Sequence, residues 1–328
     1  MPPETIRVVI AGGTGLVGKL IIDGLLHSNL AVFQITILSR ASPPASTSAS
    51  AFALSPSTTT LHPPIRTIKV DYTNHPHLVS SLRNQDILIS AVHDTAGETD
   101  HALLSAAIEA SVPRFIPNDH NCDITHPSVH ETTASVLKER WDFQARLEDV
   151  GRVGRSQWTV ISPSQFLDDN GAMEWLGFDI RARRATLYDG GKHKATGCSI
   201  GFLGDVFALV LVAWMDGDGN GDELEVRNKR IRVAEVEYCG LELLALFEEV
   251  MGEKWSVVED VSSAESLRRS SEAEGRGEMR KSFLAHVLRL NYDGSGAAHL
   301  VDGLSWGGDR LRRRSLRDIV KATVAAKQ

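Results

Sequence analysis

The sequence predicts an α/β fold: a doubly wound parallel sheet with helices on both faces, followed by a smaller α+β lobe. Three observations predict it. Short β-branched runs alternate with amphipathic helical stretches through the first half, the first run ends in a glycine turn opening straight into a helix, and the alternation weakens after residue 165.

The first apolar run, Val8, Val9 and Ile10, fits a strand buried on both faces. From Lys19 onward, Leu20, Ile21, Leu25 and Leu26 recur at helical spacing. Between the two lies AGGTGLVG, with Gly12, Gly15 and Gly18 at the strand-to-helix turn. Lacking side chains, such glycines let backbone approach a pyrophosphate, and the free N–H groups and dipole of the helix N-terminus favour its negative charge. Strand, turn and helix in this order predict a Rossmann lobe that holds a dinucleotide through Gly12, Thr14, Gly15, Leu16, Val17 and Gly18.

A second strand is expected over residues 32–40, ending in Arg40. An acid at this strand end would bond the adenosine 2′-hydroxyl, whereas a base accommodates a 2′-phosphate, so Arg40 favours NADP(H) over NAD. Residues 41–64, rich in Ser, Pro, Ala and Thr, lack the periodicity of a core element and are expected to form a flexible loop. Alternation then resumes: a strand over 65–70 with Asp71 at its end, a short helix near 75–84, a strand over 86–92, a helix over 99–110 and a strand over 114–119. Ligands of such sheets gather at strand C-termini, which adds Asp71, Ala91, Val92 and Asn118 to the cofactor-binding candidates.

A helix over 131–150 would turn Val136, Phe143 and Leu147 inward and leave Lys138 one turn from Ser135 and from Asp142. A lysine in a cofactor cleft can trade a proton or hold ribose hydroxyls, although most lysines on amphipathic helices are solvated. A strand over 157–166 follows.

Composition narrows the classes of function. At 328 residues and a net charge of −7 the chain has no basic surplus for nucleic acid or an anionic membrane. Cys122, Cys198 and Cys239 are scattered, forming neither a disulfide framework nor a zinc pattern. The first strand begins within a few residues of Met1, and the longest apolar run, residues 207–214, is too short to span a bilayer. A cytoplasmic protein is expected.

The turn AGGTGLVG, the stretch ASVPRFIPNDHNCD, the downstream LKER with Lys138, and WTVISPSQFLDD together resemble the NmrA-like and isoflavone reductase-like group of atypical short-chain reductases, especially its fungal members. The likeness continues through ATLYDGGKHKATGCSIGFLGDVFALVL and covers most of the chain. In the catalytic branch, the resemblance implies, Lys138 is a general acid or base near the nicotinamide and also touches the cofactor, while Pro163, Ser164 and Phe166 line its face. In the regulatory branch that lysine can be missing and the protein senses nicotinamide redox state. Retention of Lys138 and Arg40 therefore implies an NADPH-dependent reductase, with a redox sensor bound to a protein partner, or a redox-neutral isomerase or cyclase, as alternatives.

Ordinary short-chain dehydrogenases use a tyrosine four residues before the lysine, and a literal match exists at Tyr188 and Lys192. The intervening DGG is turn chemistry, so this pair is expected to straddle a hairpin instead of sharing a helix face. Four residues before Lys138 stands Ala134, which has no proton to give.

His120, His126 and His130, with Asp119, Cys122, Asp123 and Glu131, are types that ligate metals, but their spacing matches no helical zinc pattern and no metal is expected. His120 and His126 are instead substrate-side candidates. Met173 and Trp175 join them, within a set of apolar residues (Phe166, Phe178, Phe283, Leu290 and Trp306) able to wall a pocket or to form core. The charged stretch from residue 262 to 282 reads as a solvated helix or connector. The organisation expected is a Rossmann domain over 1–160 and a substrate lobe over 161–328, some of whose segments return to the first sheet. The expected partner is an aromatic or polyketide-like small molecule, with a homodimer left open.

Overall fold

The computed structural model describes residues 5–40, 63–92, 97–120, 123–130, 135–168, 170–215 and 224–326. The Ser/Pro-rich segment expected to form a flexible loop lies outside the described residues up to position 62, as do Asn121, Cys122, Glu131 and the last two residues.

In chain order the strands and helices begin with β1 (Thr5–Ala11), α1 (Leu16–His27), β2 (Val32–Ser39), β3 (Arg66–Lys69), α2 (His75–Leu82), β4 (Ile87–Ser90), α3 (Glu98–Glu109) and β5 (Arg114–Ile116). Then come α4 (Pro127–His130), α5 (Ser135–Arg152), β6 (Gln157–Ser162), β7 (Gln165–Phe166), α6 (Asn170–Trp175), β8 (Phe178–Asp179), β9 (Arg184–Tyr188) and β10 (Lys194–Cys198). The chain continues with α7 (Ile200–Met215), β11 (Lys229–Arg232), β12 (Val236–Cys239), α8 (Gly240–Met251), β13 (Ser256–Val261), α9 (Ser263–Gly275), α10 (Met279–Tyr292) and α11 (Leu316–Ala325).

Two compact units result. The first comprises residues 1–119, 142–161 and 203–231, and the second comprises 120–141, 162–202 and 232–328. Residues 203–231 thus belong to the unit of the first sheet, and residues 120–141 to the other.

The first unit is organised by a seven-stranded sheet in the order β11-β6-β5-β4-β1-β2-β3. From β3 to β6 every pairing is parallel, giving the doubly wound strand order expected of a dinucleotide-binding sheet. Its central strands are apolar on both faces: Val8, Val9, Ile10, Ile87, Leu88 and Ile89 are all fully buried. One side of the sheet packs Leu78, Leu82, Leu103, Leu104, Phe143 and Leu147 from α2, α3 and α5. Helices α1 and α7 approach so closely that a methyl group on Gly24 would lie 2.4 Å from the Cα of Gly204.

The second unit holds two three-stranded sheets, β12-β10-β7 and β13-β9-β8. Its main core unites Met173, Leu176, Phe178, Tyr238, Phe247, Trp255 and Ile319. A buried polar knot ties its C-terminal segment to the β10–α7 turn. Glu235 accepts hydrogen bonds from the Ser199 and Arg314 backbone amides, and Asp168 accepts one from Ile200 and one from the Arg314 guanidinium. Burial pushes the Asp168 carboxyl above its ordinary range. The charged stretch becomes α9, where Glu265 pairs with Arg268 and Arg269 at 2.7 and 2.8 Å on the exposed side, while Ser266, Ser270 and Ala273 are buried. No helix among the described residues is long and apolar enough to cross a membrane.

Candidate cofactor and active site

In the glycine turn each small residue answers a steric demand. Gly12 has φ +78°, and a Cβ there would stand 2.6 Å from the Ala91 carbonyl oxygen. A Cβ on Gly18 would lie 2.3 Å from the Gly12 carbonyl oxygen. The Gly15 amide donates to the Gly12 carbonyl at 2.9 Å, closing the turn. Helix α1 then starts from Gly15 with no side-chain cap and no acid in its first turn. A helix start without such groups presents backbone donors and a positive dipole end to an anion. Thr14, Gly15 and Leu16 are exposed and Val17 half-buried, so the turn faces outward where a pyrophosphate would lie.

Neighbouring strand ends complete this half of the site. Ala91 and Val92, after β4, are half-buried, and the Ala91 amide donates to the Ala11 carbonyl at 2.8 Å. Asn118 donates its side-chain amide to the Val92 carbonyl at 2.8 Å, while its backbone amide is held by Asp100 at 3.0 Å. Arg40 is exposed immediately beyond β2. Beside it the Tyr72 hydroxyl donates to the Leu38 carbonyl at 3.1 Å, an oxygen that also accepts the Gly12 amide at 3.3 Å. Burial pushes the Tyr72 phenol up to about 12 despite the Gly12 amide and the Arg40 charge, so it stays a neutral donor. Asp71 is exposed and bonds the Thr73 amide and hydroxyl at 2.9 and 2.7 Å, which holds its carboxyl below the usual range. Tyr72 and Asp100 escape a reading by spacing, because their roles come from carbonyl and amide partners that are distant in sequence.

The remaining candidates lie in the second unit. Lys138 is exposed near the start of α5, beside the buried Leu137. The indole of Trp141, one turn on, donates to the Ile124 carbonyl at 3.1 Å and so ties α5 to the segment carrying His126. His126 is half-buried with Nδ1 2.8 Å from the Ser128 hydroxyl, and His120 is buried. The strand expected over 157–166 breaks in two at Pro163 and Ser164, both buried. Ser164 adopts a left-handed φ of +60° and donates its hydroxyl to the Ala298 carbonyl at 3.1 Å; Phe166, in β7, is half-buried.

Ala298 was invisible to spacing, yet it is the common neighbour here. Its carbonyl also accepts the Thr196 amide and hydroxyl, and it shares an apolar cluster with Val129, Leu137 and Leu290, flanked by Trp141 and Phe283. The structure thus gathers the α5 start, the His126 segment and Ser164 around one short stretch. Met173 and Trp175 are not equivalent: Met173 is fully enclosed in the main core, a packing position, whereas Trp175 is 43% exposed.

Two other expectations meet the structure differently. Tyr188 and Lys192 do not straddle a hairpin, since the turn between them links β9 and β10, which belong to different sheets. They share no helix face either. Asp119 and Asp123, offered as metal-ligating types, are engaged by Arg230 and Arg232 at 2.6 Å each, and no group of three or more potential metal ligands occurs among the described residues.

A doubly wound sheet with an uncapped helix start at its glycine turn defines a dinucleotide-binding protein. The chain belongs to the NAD(P)H-binding family, matched over residues 12–177. Curated relatives are oxidoreductases. The chain is 29% identical to oxidoreductase aprR of Aspergillus flavus over 58% of its own length and 58% of the relative's, so the match spans under two thirds of that protein. It is 26% identical to oxidoreductase poxI of Penicillium oxalicum over 93% of this chain and 88% of that one. Among solved structures, AtPrR2 with NADP+ and (+)pinoresinol superposes with a TM-score of 0.68 at 15% identity, covering 98% of this chain and 99% of that one. An isoflavone reductase gives a TM-score of 0.64 at 16% identity over 89% and 90%.

Proposed function

We propose that this protein is a cytoplasmic NADPH-dependent reductase acting on a conjugated or aromatic small molecule, of the secondary-metabolite or polyketide-like kind. The observation that carries the reading is the uncapped glycine turn followed, in the same chain, by the lysine that the resembling reductases use. Gly12, Thr14, Gly15, Leu16, Val17 and Gly18 would hold the pyrophosphate, Arg40 the 2′-phosphate, and Ala91, Val92 and Asn118 the nicotinamide-side ribose. NADPH, when bound, supplies the hydride for an electrophilic carbon.

The chain's own task is the proton. A charged Lys138 Nζ can give it to the atom that gains electron density, so that hydride and proton together add two hydrogens to the substrate. Pro163, Ser164 and Phe166 would flank the nicotinamide, and His120 and His126 would orient substrate. The aromatic substrate class is supported by analogy with the solved AtPrR2 structure, which holds NADP+ and (+)pinoresinol.

Calorimetric titration with NADPH, NADH and their oxidised forms, on the native chain and on Arg40→Ala, tests the reading. An NADPH preference of about tenfold or more that collapses in the variant is the expected result, because a charge-assisted contact contributes on the order of 1.4 kcal/mol or more. Equal affinities, or a preference for oxidised NAD, would favour a redox sensor instead.

A further inference from the structure

Arg230 and Arg232 stand two residues apart at the end of β11, so strand alternation directs both side chains to one face. Each meets an aspartate of the segment that follows β5. Arg230 Nη2 donates to Asp119 Oδ2 at 2.6 Å and to Gln144 Oε1 at 3.1 Å, and the two charged side chains are only 7% and 11% exposed. Arg232 donates through Nε and Nη2 to Asp123 Oδ2 at 2.8 and 2.6 Å. Asp123 is fully buried, and its other oxygen accepts the Thr125 amide and hydroxyl at 2.9 and 2.6 Å.

The two carboxylates bracket His120, and Asn118 immediately precedes them. This stretch contains no helix or strand between β5 and α4 among the described residues, so its course depends on side-chain anchors more than on a backbone ladder. The buried Arg230–Asp119 pair is a weak source of net stability, because desolvation offsets most of the attraction, but it ties the segment to β11 at a defined point; the Arg232 guanidinium, 41% exposed and also bonded to Asp302 at 3.0 Å, adds a second tie at Asp123. Uncharged residues could fill the same space. Two arginine–aspartate pairs on described residues that belong to no helix or strand therefore point to positioning.

We propose that Arg230 and Arg232 are positioning residues that staple residues 118–120 and 123–126 through β11's two guanidinium groups, and so set where Asn118 meets the cofactor and where the two histidines meet substrate. The proposal rests on the reductase reading for the role of that segment. The staple itself stands on the contacts above.

The test compares Arg230→Gln, Asp119→Asn and the double variant, in the full chain, by NADPH-dependent reduction of 1,4-naphthoquinone and by amide hydrogen exchange. Arg230→Gln is expected to lower kcat/KM for the quinone at least tenfold, and by a larger factor than it weakens NADPH binding. Exchange protection should fall in residues 118–126 and not in β1 or β4. The double variant, which replaces the ion pair with an amide pair able to keep one hydrogen bond, should recover at least a third of the lost activity. A generally loosened fold would show no such rescue.

Folded single variants with turnover within twofold of native and unchanged protection over 118–126 would overturn the staple. If the native chain does not reduce the quinone, the reductase reading is at fault, and the staple is decided by exchange alone: segment-confined loss of protection sustains it, and unchanged protection overturns it.

Discussion

Two glycine-bearing turns, AGGTGLVG at residues 11–18 and YDGGK at 188–192, look equally chemical on paper and behave differently in the fold. The first has one residue at positive φ, Gly12, packed under the Ala91 carbonyl, and it delivers the chain into a twelve-residue helix that has no side-chain cap. The second has three successive residues at positive φ, Asp189, Gly190 and Gly191, and hands the chain from β9 to β10. Its polar groups are engaged internally: Asp189 accepts the Ser263 amide at 3.0 Å, and Asp260 accepts the Gly190 amide at 2.9 Å. The first turn spends its Gly12 and Gly15 amides on internal bonds but leads into an uncapped helix start, the feature that suits an anion, whereas the second leads into no helix that could present such donors.

The contrast is broken most severely at Gly18. A methyl group there would stand 2.3 Å from the Gly12 carbonyl oxygen, with backbone that cannot yield. Gly18→Ala is expected to weaken NADPH binding at least a hundredfold (about 2.8 kcal/mol) in calorimetry; affinity within threefold of native would show that this turn is not the cradle.

An effect of comparable size, on turnover instead of binding, separates the two lysines. Lys138→Ala should lower turnover by roughly 100- to 10,000-fold, the usual reach of a lost general acid, whereas Lys192→Ala and Tyr188→Phe should stay within about twofold, since the second turn carries no acid–base pair. Steady-state rates on one quinone substrate decide it, and a collapse in Tyr188→Phe would restore the tyrosine–lysine mechanism.

Acid sensitivity sharpens the comparison within the second unit. His286 on α10 is 1% exposed, and burial, with Arg289 nearby, lowers its pKa to about 4. Glu274 and Asp293 oppose that shift. The depressed value means that the unfolded chain binds the proton more readily. The stability this histidine contributes is therefore present above its unfolded pKa of about 6.5 and is lost as pH falls towards about 4. Denaturant midpoints measured between those limits should decline, and His286→Phe should flatten the decline; an identical slope in the variant would place the acid sensitivity elsewhere.

The smallest effect belongs to Gly190. A Cβ there meets nothing nearer than Lys192 Cε at 3.5 Å, so only its φ of +69° resists substitution. Gly190→Ala should cost about 1 kcal/mol, the strain of a left-handed alanine, lower the melting temperature by a few degrees and leave NADPH affinity unchanged. A loss of affinity would mean that the second turn also serves the cofactor.

Periodicity located the strands and helices of the first sheet to within a few residues because each is built from local spacing. Val8 to Ile10 and Leu103 with Leu104 each carry their own apolar pattern. The break at Pro163 and Ser164 was harder to see, since the apolar run continues through it, and what holds Ser164 is the carbonyl of Ala298, 134 residues away. Likewise Met173 and Phe178 could have been pocket or core on pattern alone, and only their packing with Phe247, Trp255 and Ile319 made them core.

The sequence by itself determined the parallel sheet, the glycine turn and the NAD(P)H-binding family, because those features rest on residues adjacent in the chain: strand, turn and helix in one short stretch. Tertiary structure alone decided that Tyr72 bonds the Leu38 carbonyl and Asp100 the Asn118 amide, that Ala298 gathers Leu137, Val129 and Ser164, and that Arg230 and Arg232 seize Asp119 and Asp123. Each of those contacts joins residues far apart along the chain, and a hydrogen bond or ion pair made by a long-range approach leaves no periodic trace in the residues that will form it.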